Sequence, residues 1–396
     1  MMRVFICVSV VALCLPSFYS PEGQACPFCQ PQGRTLSSEV EQANLILFGT
    51  LKNAKRDPNE FGKGTTDLDI ELVIKDNEFR QGKKVIALPR YVPEDPKNPV
   101  KFLVFCEIYK GQLDPYRGEA VKPNSQIATY LKGAIKVRTL DAESRLKYFF
   151  DYLDSAEPEI SQDAYAEFTI ADYKDVRAIA SHLPAQKIIK WLNDPNTSSS
   201  RFGLYGLMLG HCGTTQDANV LRKMLDDPKK RYSSGLDGML AGYVLLDPVT
   251  GWKYLANLVS DPKSEFLTRY AVLRTLRYFW EARPDLIKPE AVITTMKLLL
   301  EQGDIADLPI DDLRRWEQWQ LADNILDLYG KKSHNVPIVK RSIIRFALSA
   351  PVKNARIAEF IKARREEDPE RVKDIEQLLE QEKAAAAEAK KSAPKK

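Results

Sequence analysis

Two cysteines separated by two residues are the strongest candidates for chemistry in this 396-residue sequence. Cys26, Pro27, Phe28 and Cys29 form a C-x-x-C motif, a spacing used by thiol–disulfide oxidoreductases and by half of many zinc sites. A redox pair of the thioredoxin type needs a strand before it and a helix after it. A zinc site needs a second ligand pair, which the sequence lacks. We therefore expect a structural disulfide that involves Cys106.

The segment before this motif predicts export. Arg3 precedes an apolar run over residues 4–15, and the small residues Gly23 and Ala25 come shortly before the first cysteine of the motif. This order of charge, apolar run and small residues is typical of a signal peptide. Residues 1–25 are predicted to be removed after Ala25, which places the mature protein in the periplasm or outside the cell.

Other signatures of catalysis or metal binding are missing from the sequence. It contains neither a G-x-S-x-G nucleophile motif nor an H-E-x-x-H zinc motif. Its three histidines are far apart in the chain: His182, His211 and His334. Cys212 follows one of them and is predicted to be a buried free thiol at the end of a helix. The sequence thus predicts no enzyme, no cofactor and no metal site.

Residues 26–138 are predicted to form a small β-rich domain. Four segments are apolar or alternate between apolar and polar residues, which is the pattern of buried and half-buried strands. The predicted strands are residues 44–52, 66–74, 84–92 and 100–108. Residues 111–121 begin with glycine and contain an Asp-Pro step, so they are predicted to be a loop.

Residues 139–383 are predicted to form a stack of helix pairs. Three Asp-Pro steps mark them: Asp194-Pro195, Asp227-Pro228 and Asp261-Pro262. The aspartates are 33 and then 34 residues apart (227 − 194 and 261 − 227). Proline and the residue before it disfavour helix continuation, so each step predicts a helix end. A period of this length is typical of stacked helical repeats.

Three glycines within the predicted repeats have helical spacing. Gly203, Gly206 and Gly210 fall on one face of a helix and do not have the spacing of a dinucleotide-binding loop. Small residues repeated in this way allow two helices to approach closely. We expect such a contact here.

The β-rich part resembles a known family. The cysteine at the predicted mature terminus, the first strand around residues 43–49 and the strand that ends at Cys106 resemble the netrin-like domain of tissue inhibitors of metalloproteinases, an OB-type barrel. In that family the terminal amine and carbonyl of the first cysteine chelate a protease zinc, and the resemblance gives this role to Cys26 alone. The family begins Cys-x-Cys, whereas this chain has Cys-x-x-Cys.

The helical part resembles HEAT-like repeats. The barrel, the repeats and the cysteine motif together resemble an uncharacterised family of bacterial exported proteins, a resemblance that implies no activity. The expected fold class is therefore α+β and multidomain, with a small OB or netrin-like β-barrel followed by an all-α HEAT-like stack.

The sequence favours a non-enzymatic interaction or scaffold protein that uses its helical-repeat surface to bind a protein partner. The candidate contact residues are two tryptophans and two neighbouring arginines: Trp316, Trp319, Arg314 and Arg315. Two alternatives remain. One is a protease inhibitor that acts through Cys26, and the other is a thiol–disulfide oxidoreductase that uses Cys26 and Cys29.

The basic balance of the chain comes from its carboxyl end. From Lys383 onward there are five lysines and one glutamate, a charge of 5 − 1 = +4, which equals the +4 of the whole chain. Residues 384–396 are therefore predicted to be a basic low-complexity tail. Such a tail favours weak contact with an anionic envelope surface, and it does not indicate a specific nucleic-acid partner.

We predict that the exported protein begins at Cys26. Signal peptidase should cut after Ala25, because the small residues at positions 23 and 25 fit its site. Intact-mass and amino-terminal peptide analysis of the exported protein measures this directly. A retained Met1, or a lipid on Cys26, would contradict the prediction.

Overall fold

The computed structural model describes residues 27–28, 35–60, 63–95, 97–228, 234–261, 263–351 and 354–392. The predicted signal peptide, Cys26, Cys29, Pro262 and residues 393–396 of the predicted tail lie outside these stretches. The described part is α+β, with a five-stranded antiparallel sheet near the amino terminus and a long helical part after it.

Five strands and seventeen helices are present in the described stretches. The strands are β1 (Leu45–Arg56), β2 (Gly64–Lys75), β3 (Val85–Leu88), β4 (Lys101–Tyr109) and β5 (Gln112–Val121). The first eight helices are α1 (Leu36–Gln42), α2 (Ile127–Val137), α3 (Ala142–Phe150), α4 (Pro158–Ile170), α5 (Tyr173–Ala180), α6 (Ala185–Asn193), α7 (Phe202–Cys212) and α8 (Ala218–Asp226). The others are α9 (Leu236–Leu246), α10 (Pro248–Ser260), α11 (Phe266–Ala282), α12 (Pro289–Leu300), α13 (Asp307–Arg315), α14 (Ala322–Leu326), α15 (Pro337–Ser349), α16 (Ala355–Glu367) and α17 (Pro369–Ser392).

The four predicted strands are present, and the predicted loop over residues 111–121 is wrong. The strand order is β3-β2-β1-β4-β5, and the last strand occupies that loop segment. Lys110 and Gly111 have φ values of 49° and 73°, and they join the paired residues Tyr109 and Gln112 in a two-residue hairpin turn. Pro115 is tolerated in β5 because an edge strand leaves one row of N–H groups unpaired.

The two faces of the sheet pack on different partners. Leu45 and Leu47 of β1 join a core that belongs to the sheet itself. Ile46 and Phe48 point to the other face and join the main core of the helical part. This alternation follows from the two-residue period of a strand. One continuous core therefore joins the sheet to the helices, and α2 contributes to it before the predicted boundary at residue 138.

Three helices end at the predicted aspartates. Asp194, Asp227 and Asp261 are the residues directly after α6, α8 and α10, and each has an extended backbone with ψ between 110° and 121°. The next helix of each pair then runs back alongside, because α6 packs on α7, α8 on α9 and α10 on α11. The Asp-Pro step that repeats in the sequence therefore marks the end of the first helix in each of the three pairs.

The first and third of these turns also share their hydrogen bonds. Each aspartate accepts the backbone N–H of the residue two positions later, at 2.8 Å for Asp194 and 2.9 Å for Asp261. Three positions after each aspartate, the hydroxyl of Thr197 or Ser264 donates to a carbonyl of the preceding helix, at 2.7 Å and 2.6 Å. These bonds satisfy backbone groups that a helix end leaves unpaired.

Helices α7 and α9 touch backbone to backbone. The contact consists of three glycines from each helix: Gly203, Gly206 and Gly210, and Gly235, Gly238 and Gly242. A Cβ atom at Gly242 would lie 2.0 Å from the carbonyl oxygen of Gly206, and one at Gly238 would lie 2.2 Å from that of Gly203. We call these six residues the glycine seam. The close approach predicted from the helical spacing of glycine is present.

We predict that Gly242→Ala destabilises the protein. Alanine favours a helix over glycine by about 0.5–1 kcal/mol, but here its methyl group would meet a carbonyl oxygen at 2.0 Å. Separating the two helices should outweigh that gain and cost about 1–3 kcal/mol. Lys253→Ala on the exposed face of α10 is the control and should stay within about 0.5 kcal/mol. Urea unfolding measures both; stabilisation by Gly242→Ala would show that the seam can relax.

Candidate functional site

The described thiols are protonated at neutral pH. Cys106 is fully buried in the sheet's own core, and this burial raises its pKa to about 12, helped by the charge of Asp114. Burial also raises the pKa of Cys212 to about 11. Both are free thiols, and the described residues contain no disulfide. The predicted bridge from Cys106 to the amino-terminal motif stays a prediction, because Cys26 and Cys29 lie outside the described residues.

The two residues between those cysteines bind to the helical part. Phe28 is 4% exposed, and its ring lies 5.0 Å from that of Tyr278 on α11. Arg274, one turn earlier on the same helix, donates to the carbonyl oxygen of Pro27 at 2.8 Å. Its Nε also lies 3.0 Å from the buried carboxylate of Asp237. Sequence reasoning missed this anchor, since nothing near the motif indicates its partners.

Two opposing effects act on the pKa of the Asp237 carboxyl group. Burial raises the pKa of its carboxyl group, and the charge of Arg274 opposes that shift. A buried carboxylate without a cation would be costly. Arg274 therefore stabilises Asp237 and holds the amino-terminal segment with the same guanidinium.

The predicted contact residues Trp316 and Trp319 lie in internal packing. The ring of Trp316 stacks on that of Trp280 at 4.4 Å, with 16° between the planes. Trp319 packs edge-on against Phe346 of α15 at 5.2 Å. Both rings are packed against a buried core.

The neighbouring arginines form ion pairs within the chain. Arg314 is 8% exposed, and its guanidinium bonds to Asp311 at 3.0 Å and to Glu382 of α17 at 2.9 Å. Arg315 donates to the buried carboxylate of Asp312 at 2.6 Å. The four candidates therefore join the helices around α13 to one another.

A polar pocket lies beside α5. It has a volume of about 750 Å³ and lies against the carboxyl ends of α7, α9 and α11. Its wall includes the side chains of Tyr173, Lys174, Arg177, His211 and Arg283. Apolar groups of α5, α9 and α11 complete it: Ala178, Leu245 and Ala282. We call this the α5 pocket.

A chain of three hydrogen-bonded groups extends from the pocket into the core. The hydroxyl of Tyr173 lies 3.1 Å from Nε2 of His211 and 2.5 Å from the hydroxyl of Tyr278. Tyr278 is the residue on which Phe28 packs. The pocket wall and the amino-terminal anchor are thus joined through one tyrosine.

These groups are uncharged at neutral pH. Burial is the largest cause that lowers the pKa of His211 to about 3, and the charges of Arg283 and Arg177 contribute to the same shift. Burial raises the pKa of Tyr173, although hydrogen bonding to Tyr278 and the nearby arginines oppose that shift. The charge of the pocket therefore comes from its cationic residues.

The three cations differ in how tightly they are paired. Arg283 holds Asp285 with two hydrogen bonds, of 2.8 Å and 3.0 Å. Arg177 is 3.8 Å from the same carboxylate, and Lys174 is 3.6 Å from Asp172. The last two distances exceed those of hydrogen bonds, so Arg177 and Lys174 have loose partners and Arg283 has a close one.

Metal-binding clusters and membrane-spanning helices are absent from the described residues. No three or more histidine, cysteine or acidic side chains there are placed to hold a metal ion. None of the helices in the described part has the length and apolar composition that a membrane span requires. Comparison of the chain with protein-family models, curated proteins and solved structures gives no match.

We predict that Phe28→Ala destabilises the helical part. Removing a buried phenylalanine side chain costs about 3–5 kcal/mol in a core, and we expect the low end because a terminal segment can detach alone. Hydrogen exchange should also rise in α11, where Tyr278 loses its neighbour. Tyr109→Ala is the matched control, since that aromatic side chain is 62% exposed in the hairpin turn. Equal losses of stability in Phe28→Ala and Tyr109→Ala would show that the packing of Phe28 on Tyr278 contributes nothing to stability.

Proposed function

We propose that this chain is an exported, non-enzymatic interaction scaffold whose helical-repeat surface binds a protein partner. The observation that carries the proposal is the hydrophobic core that joins the sheet to the helices. Leu103 and Phe105 of β4 pack with Tyr130 and Leu131 of α2 in the core that continues to α12. Elements that share this core keep their surfaces in fixed relative positions, which is the property that a scaffold needs.

The OB or netrin-like character of the sheet is part of this proposal. Two observations support it. The order β3-β2-β1-β4-β5 is that of a five-stranded OB barrel opened between β3 and β5. The face of the sheet that points away from the helices encloses a core of its own, in which Leu68, Ile86 and Val104 are buried without a helix against them. A curled sheet buries such a face, whereas a flat sheet exposes it.

The HEAT-like character of the helical part also belongs to the proposal. The first helix of each successive pair ends in the same way, at Asp194, Asp227 or Asp261. The second helices of neighbouring pairs pack together, α7 on α9 and α9 on α11. A stack of this type presents an extended surface for binding. The predicted basic tail would add a weak attraction to an anionic envelope surface.

The geometry favours the scaffold over the two alternatives. An inhibitor acting through Cys26 must carry that residue into the zinc site of a protease. The adjacent carbonyl of Pro27 accepts from Arg274, and Phe28 is buried against Tyr278. These contacts support a role of the segment in anchoring. Both alternatives depend on cysteines outside the described residues and stay alternatives.

We predict that a photo-crosslinking amino acid at position 267 captures one defined protein from envelope extract. Leu267 is 64% exposed on the first turn of α11, within the helical stack. The matched control is the same amino acid at position 109, in the sheet, where Tyr109 is 62% exposed.

The crosslinked products at positions 267 and 109 should differ. Capture at 267 that is absent at 109 and lost after heat unfolding supports the scaffold. Equal products at both positions would contradict a partner surface on the repeats. Reduction of a model disulfide substrate by the native protein, lost in Cys29→Ser, would instead support the oxidoreductase.

A further inference from the structure

The α5 pocket contains three cationic side chains and no carboxylate in its wall. The acidic partners of these cations, Asp172 and Asp285, are not among the lining residues. The group as a whole has three positive and two negative charges, which leaves 3 − 2 = +1. His211 adds no charge at neutral pH.

Lys174 and Arg177 are the cations that an incoming group can reach. Their side chains are 77% and 46% exposed, and their partners are 3.6 Å and 3.8 Å away. Neither cation must give up a close hydrogen bond to turn toward a ligand. Arg283 is 12% exposed and keeps its two bonds to Asp285, so it contributes a fixed positive charge behind them.

The pocket lining also includes apolar groups. Ala178, Leu245 and Ala282 line it together with the charged groups. Its volume of about 750 Å³ lies in the range of small-molecule sites, about 300–1,000 Å³. A ligand that fits this mixed lining has a negatively charged group and a short uncharged body.

We propose that the α5 pocket binds a small organic oxyanion, with a carboxylate or phosphate group held by Arg177 and Lys174. An arginine guanidinium and a lysine ammonium are the usual protein donors to both groups. Asp285 shows that a carboxylate is already accommodated between Arg283 and Arg177 in this structure. The site goes beyond the proposed scaffold function, since it needs no protein partner.

The same cations have another possible role. The carboxyl ends of α7, α9 and α11 meet the pocket, and cations near such ends offset the helix dipole. Arg283, directly after α11, fits this role. Lys174 lies in the first turn of α5, where the amino end carries the opposite partial charge, whereas Arg177 lies in the last turn of that helix. If all three cations only offset helix ends, their removal would change stability and the native protein would bind no anion.

The test is calorimetric titration of the full-length protein with inorganic phosphate and with succinate. Sodium chloride at equal ionic strength is the blank. We expect saturable one-site binding of at least one probe. Arg177→Gln should weaken it about tenfold, the effect of losing one charge-assisted contact. Lys174→Gln should also weaken it and cannot disrupt the core, because that side chain is 77% exposed.

Arg356→Gln is the matched control, because Arg356 on α16 is 45% exposed and paired with two aspartates. Its binding should equal that of the native protein. Tighter binding of phosphate would identify the ligand as a phosphate ester, and tighter binding of succinate as a carboxylate. Absence of saturable binding for both probes, or an equal loss in Arg356→Gln, would overturn the proposal.

Discussion

The close approach of α7 and α9 is the constraint on which the helical part depends. Six glycines form the contact, and a single Cβ atom at Gly242 would reach within 2.0 Å of a backbone oxygen. Both helices are buried over most of their length, so they hold the middle of the stack together. The seam also determines where the amino terminus lies. A Cβ atom at Gly203 would be 3.2 Å from the carbonyl oxygen of Phe28, so the absence of a side chain leaves room for that segment.

Buried carboxylates fix helices α1 and α2 against α4. Asp163 of α4 accepts a hydrogen bond from the hydroxyl of Tyr130 at 2.7 Å and from the backbone N–H of Ser37 at 3.3 Å. Glu167, one turn later, accepts from Thr35 at 2.6 Å and from the guanidinium of Arg138 at 2.7 Å. Because an unpaired buried carboxylate is costly, these bonds require one placement of α1 and α2 against α4. The core that supports the proposed scaffold is thereby locked in position.

The α5 pocket lies at the carboxyl ends of α7, α9 and α11. The glycine seam aligns α7 with α9, and α11 follows α9, so three carboxyl ends come together. Helix α5 then covers them, and its tyrosine joins the wall of the pocket to the anchor of Phe28 through Tyr278. The wall of the pocket and the packing of Phe28 therefore meet at Tyr278.

The sequence by itself determined the features that arise from local stereochemistry. Proline and the residue before it disfavour continuation of the preceding helix, so the Asp-Pro steps predicted the ends of α6, α8 and α10. The alternation of apolar and polar residues predicted strand β2, and the helical spacing of glycines predicted the close contact of α7 with another helix. Features that depend on residues far apart in the sequence are visible only in the tertiary structure. Pro115 is compatible with β5 only because β5 lies at the edge of the sheet, and Phe28 is buried by a helix whose Arg274 is 247 residues from Pro27. The residues of the α5 pocket come from four separate helices, and no local pattern in the sequence encodes their meeting.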